Sequence, residues 1–186
     1  MILELLKYFA RFPKKEGVVS MFTNGSSNFY QYAELLKHII DLPEPIIPEL
    51  ENFVFGQSYD YVKKRVDNIT GNYLLVDFGE FTSSRDACNS MLDRQKLAAT
   101  IAMKVSDAAD MVETAIASEI TLSLLAKLRQ RLILDSRSEE LSWLDKVSES
   151  HDIIPFVSSE FKSIGWTMMF TSTAADLFGV KTSFRE

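Results

Sequence analysis

The chain has very little with which to build a familiar reaction centre. Cysteine occurs once, at Cys88, so no intrachain disulfide forms and the composition fits a reducing compartment. With Asp86 and Asn89 as its polar neighbours and no histidine beside it, Cys88 reads as a loop residue, not a nucleophile. Histidine occurs twice, at His38 and His151, and neither stands in a metal-ligand spacing. His38 adjoins Ile39 and Ile40 and reads as a core or rim residue of an apolar helix. His151 adjoins Asp152 and reads as solvated in a polar turn. There is no GxSxG elbow, no GxGxxG fingerprint and no Walker-type phosphate loop.

Other shortages bound the class. Seven glycines and five prolines are too few for a disordered or collagen-like chain. Basic residues are outnumbered, 20 Lys+Arg against 26 Asp+Glu for a net charge of −6, which argues against a specific nucleic-acid site. Long apolar runs are missing as well. Ile2, Leu5, Leu6 and Phe9 share a helical face, but Glu4, Lys7 and Arg11 interrupt it. No stretch has the length of a signal core or a membrane span, so the expectation is a soluble chain with no membrane partner.

What is present is core. Hydrophobic residues make up 46% of the 186, enough for one domain. The most ordered pattern is Asp107 to Asp135. Val112, Ile116, Ile120, Leu124, Leu128 and Leu132 fall at steps of four, the mark of an amphipathic helix about 40 Å long. Ser106 or Asp107 is placed to cap its start, and Lys127, Arg129 and Arg131 suit the dipole near its end. Before it, Leu74, Val76 and Phe78 alternate with Tyr73, Leu75 and Asp77. Leu97, Ala99, Ile101, Met103 and Val105 then alternate with a second face of Lys96, Ala98, Thr100, Ala102 and Lys104. Both segments read as strands of an antiparallel hairpin. After the helix, Ile153–Lys162 and Trp166–Thr173 read as two more strands, with Pro155 favouring an edge and Gly165 a tight turn.

The N-terminal part is less regular. Residues 1–12 predict a short helix ended by Pro13, and Asn28 is placed to cap a second from Phe29 to about Ile40. Pro43, Pro45 and Pro48 forbid a continuous helix beyond it, apolar character resumes at Phe53–Phe55, and Tyr61 to Ile69 suggests another short helix. The expected fold is α+β. Four mainly antiparallel strands in the order β-β-α-β-β carry one long helix packed on the sheet. A helical or irregular region, residues 1–71, precedes this 72–186 core, and the two form one compact unit in preference to two subdomains.

Candidate chemistry is sparse. Asp77, Glu80, Asp86 and Asp93 bring carboxylates to the mouth of the hairpin, where acidic residues ordinarily face water, so no metal is expected there. Trp143, Trp166, Tyr73 and Phe78 lack interleaved basic residues and read as core aromatics, not as a stacking platform for bases. No cofactor is implied. The unusual feature is the polar stretch Thr82–Asp93, read as a long loop between two well-patterned strands. Its plain reading is a solvated loop. The alternative is an arm that docks on a neighbouring copy, with Arg85, Asp86, Met91 and Arg94 as the interface residues.

The hairpin of Tyr73–Phe81 and Arg94–Val105, the long helix Asp107–Leu134 and the paired strands Ile153–Lys162 and Trp166–Thr173 together resemble the tail-terminator and neck-completion proteins of tailed bacteriophages. The likeness is one of element order over residues 72–175. It implies a non-enzymatic subunit that forms a ring with identical copies at the head–tail junction. Its partners would be neighbouring virion neck or tail proteins, and assembly would take place in the host cytoplasm. The other classes are a cytoplasmic bacterial protein-binding domain that dimerises through a sheet edge, and a small enzyme without a motif. On this reading the row through Ile120 packs on the sheet, and Ile120→Ala should cost ~2–5 kcal/mol.

Overall fold

A computed structural model describes residues 2–23, 27–85, 88–107, 110–138, 141, 143–144, 147 and 149–175. The sheet has five strands, one more than the sequence predicts. They are β1 (Asn52–Phe55), β2 (Asn72–Arg85), β3 (Met91–Lys104), β4 (His151–Ser158) and β5 (Ser163–Ala175), in spatial order β1-β2-β3-β5-β4. The extra strand, β1, pairs parallel to β2 with Phe53 opposite Leu74, and all other pairings are antiparallel. Four residues are too few to show a period, and Phe53 and Val54 are both fully buried, so no alternation marks β1.

Among the described residues five α-helices accompany the sheet: α1 (Ile2–Phe9), α2 (Lys15–Val19), α3 (Tyr30–Ile40), α4 (Tyr59–Asp67) and α5 (Met111–Asp135). Cross-strand partners point to one face, which separates two cores. On the first face lie Phe53, Leu74, Val76, Leu97, Ala99, Ile101 and Met168, covered by α5 and the N-terminal helices. Leu5 and Phe9 of α1 belong to this same cluster, and the Tyr8 hydroxyl donates to Asp135 at 2.8 Å, tying α1 to the end of α5. On the second face Val54, Tyr73, Leu75 and Ala102 meet Val62 and Val66 of α4. The face of β3 expected to be polar is therefore half buried: Thr100 and Ala102 lie under cover, and Thr100 bonds Thr167 across the strands at 2.7 Å.

Three local expectations change. The cap of α5 is Asp110, whose side chain accepts from the amides of Val112 at 2.8 Å and Glu113 at 3.1 Å. Ser106 and Asp107 instead donate their backbone amides to Glu113 at 2.8 and 3.1 Å, so the helix begins one turn later than the sequence predicts. The cap of α3 is Phe29, without a side-chain bond, and not Asn28. Gly165 lies inside β5, not in a turn, because a Cβ there would strike the Ile101 carbonyl and Ala102 of β3. The connection from β4 is made instead by 159–162, where Lys162 takes a φ of 45°.

The face of α5 is the largest correction. The buried residues are Ala117, Thr121, Leu124, Leu125, Leu128 and Leu132. Along the predicted row exposure falls steadily: Val112 68%, Ile116 56%, Ile120 40%, Leu124 4%, then Leu128 and Leu132 at 0%. The reason is geometric. At about 100° per residue a step of four overshoots a turn by about 40°, so a strict row winds around the helix by about 200° over five steps. A face that stays on a flat sheet mixes steps of three and four, as the buried set does.

Candidate interaction surfaces

The hairpin arm is shorter than predicted. The β2–β3 ladder continues through Thr82↔Arg94, Ser83↔Asp93 and Ser84↔Leu92 to Arg85↔Met91, after a bulge between Phe78 and Phe81. The connection is therefore 86–90, not Thr82–Asp93. Polar residues line both strands here, which is why the stretch reads as a loop. The Ser83 hydroxyl bonds the Asp93 carboxylate, and Asp93 and Gln95 are each 1% exposed. The Arg85 guanidinium donates to the Asn89 carbonyl at 3.1 Å and to its side-chain oxygen at 3.0 Å, so it braces the turn. Arg94 is exposed and sits between Thr82 and Thr173 in the ladder, and Met91 is half-buried opposite Arg85. Asp86 lies outside the described residues.

The carboxylates of this region do not converge. Asp93 faces the first core and Asp77 the opposite face of the sheet, while Glu80 pairs with Lys96 at 2.7 Å. Among the described residues no group of three or more His, Cys, Asp or Glu side chains is placed to hold a metal ion. Asp77 lines an open cleft of about 550 Å³ with Lys96, Met169, Glu149 and Asp152, where α4 no longer covers the sheet. Partial burial raises its carboxyl above the usual range.

Neither histidine sits where its neighbours suggested. His38 is exposed on α3. His151 opens β4 and links it to α5: Arg129 Nε donates to His151 Nε2 at 2.6 Å, and Nδ1 lies 3.0 Å from the Val147 carbonyl. With Nε2 accepting from Arg129, Nδ1 is the ring nitrogen that faces the Val147 carbonyl. The other cations near the end of α5 also act sideways. Lys127 meets Glu49 and Arg131 meets Asp135 at 2.9 Å. Trp166 is a core aromatic, its indole donating to the Ser118 carbonyl at 3.1 Å.

The first half of α5 is the surface that sequence reasoning missed. Met111 is 84% exposed, and with Val112, Ile116 and Ile120 it leaves four large apolar side chains in water. The signal was present in the spacing itself, since a row of strict fours must turn away from a flat sheet. Charge on this half has one sign. Asp107, Asp110, Glu113 and Glu119 occur between Lys104 and Lys127, and no Lys or Arg does. Backbone and hydroxyl donors of Ser106, then the Asp107 amide, hold the Glu113 carboxyl below its usual range and keep it ionised.

A second set of exposed apolar groups lies across the sheet. Tyr59 and Tyr61 of α4 are each about half exposed, and Ile154 of β4 adds to them on the same face. Around them stand Lys63, Lys64, Lys104 and Lys162. Lys104 is held below the usual lysine range by burial, with Lys162 and Lys63 adding repulsion against the pull of Asp67, and its ammonium donates to the Phe161 carbonyl at 2.8 Å. Among the described residues no helix is long and apolar enough to cross a membrane. Compared with family models, with curated proteins and with solved structures, the chain matches none.

Proposed function

We propose that this protein is a non-enzymatic structural subunit that assembles with identical copies into a ring at the neck or tail of a phage or prophage particle. The observation that carries the reading is the exposed apolar half of α5. Met111, Val112, Ile116 and Ile120 follow one another along a well-formed helix, exposed among the described residues. Such a patch on a surface marks a contact with another protein. The order of elements from β2 to β5, hairpin then long helix then paired strands, supports the phage reading through its resemblance to tail-terminator and neck-completion subunits. Fold analogy is the weaker of the two supports.

The arm plays a smaller part in assembly than the sequence suggested. The ladder runs to Arg85 and Met91, so five residues of sequence separate the paired strands in place of the twelve of Thr82–Asp93. Arg94 remains exposed for a neighbour, whereas Arg85 is engaged with Asn89.

Native mass spectrometry of the intact chain tests the proposal, together with electron microscopy of particles formed with and without it. The expected result is a closed ring of about six copies, and particles without a completed neck or tail when the chain is absent. A stable dimer with normal particles would instead support the protein-binding alternative and overturn the ring.

A further inference from the structure

Copies of this chain have two unlike surfaces to offer one another, on opposite sides of the sheet. We infer that the ring is built head to tail, the exposed first half of α5 of one copy docking on the α4 face of the next. The inference rests on the assembly reading above and gives it an interface.

Three observations carry it. The first is charge. The α5 surface has four carboxylates and no cation from 105 to 126. The α4 face has Lys63, Lys64, Lys104 and Lys162. Asp67 and Glu160 lie 3.4 and 3.5 Å from Lys63, and with Asp60 they set three carboxylates against four lysines, so this face keeps a slight positive balance where the α5 surface is wholly negative. Opposite potentials steer two surfaces together and set which faces meet. The second is apolar content. Val112, Ile116 and Ile120 are exposed on one side, and Tyr59, Tyr61 and Ile154 on the other. Tyrosines with half their surface in water suit an interface, because the ring buries area while the hydroxyl stays solvated. The third is placement. The helices lie on opposite faces of one sheet, packed on the two separate cores. A contact between unlike faces is heterologous, and it closes into a ring where the repeated rotation returns to the first copy. A contact of α5 with α5 would stop at two copies and would bring like charges together.

Charge reversal with exchange tests this. Glu119 and Lys64 are both exposed, so E119K and K64E should leave the fold and its unfolding transition unchanged. Sedimentation velocity and native mass spectrometry would follow the wild type, each variant alone, and the two mixed. Each variant alone should associate at least about tenfold more weakly than the wild type. The mixture should recover, because α5 of the E119K copy then meets α4 of the K64E copy while the remaining contact is as in the wild type. A further variant, I116D, should weaken association without a partner that rescues it. If the wild type forms a ring and the mixture does not recover, or neither variant weakens, the interface is wrong and the ring stands. A wild-type chain that stays monomeric up to about 1 mM, where even a weak contact would show, overturns both.

Discussion

The two halves of α5 carry the same kinds of side chain at the same spacing and meet opposite surroundings. Leu124, Leu125, Leu128 and Leu132 are sealed in one cluster with Met168, Ile101 and residues of the N-terminal helices. Met111, Val112, Ile116 and Ile120 stand in water. Burial, not composition, decides what such a residue contributes: a sealed leucine stabilises the chain, and an open isoleucine stabilises only an assembly. The cap at Asp110 shows that the open half is a true helix and not a frayed end. It satisfies two of the amides that a helix start leaves without partners.

The contrast can be broken by substitution. Leu128→Ala removes a fully buried side chain from the first core and should cost ~2–5 kcal/mol in urea unfolding. A cost under ~0.5 kcal/mol, the scale of exposed sites, would mean that the second half is not sealed. Asp110→Ala removes the cap and should cost ~1 kcal/mol, with hydrogen exchange faster in the first turn of α5. Unchanged exchange would show that the open half does not depend on that cap. Ile116→Ala should change monomer stability by no more than ~0.5 kcal/mol. It should nonetheless weaken self-association, and a fall in stability like that of Leu128→Ala would erase the distinction between the halves. Ile120→Ala, at 40% exposure, belongs between these two and below the ~2–5 kcal/mol expected from the pattern alone.

The smallest expected effect is in acid. Glu113 has a folded pKa below its ordinary 4.5, so its bonds to Ser106 and Asp107 stabilise the fold above that value. Their contribution is lost as pH falls through the folded pKa. In Glu113→Gln, stability should therefore depend less steeply on pH below about 4.5. A pH profile identical to the wild type would show that the Ser106–Glu113 clasp does not hold in solution.

Long periodic elements were legible in the sequence and short or doubly covered ones were not. The alternation at Leu74–Phe78 and Leu97–Val105 predicted the central hairpin, and Pro155 predicted an edge strand, which β4 is. β1 escaped because Phe53 and Val54 are buried on opposite faces and leave no polar partner to mark a period. The extension of the hairpin escaped because Thr82, Ser83 and Ser84 look like a loop until Asp93 is set opposite Ser83. The candidate surface escaped for a different reason. A row of fours looks like one face, yet its first and last members stand about half a turn apart around the helix.

Pro155 bears on what self-association this chain permits. Ile153, Ile154 and Val157 are exposed along β4, and a bare apolar edge of that kind is a template for a foreign strand. A proline on an edge strand turns its missing amide outward. A strand arriving at β4 would thus find its hydrogen-bonding row interrupted near the middle, with one of its own carbonyls left without a donor. Fibre growth by stacking strand on strand is discouraged there, while contacts made by side chains are untouched.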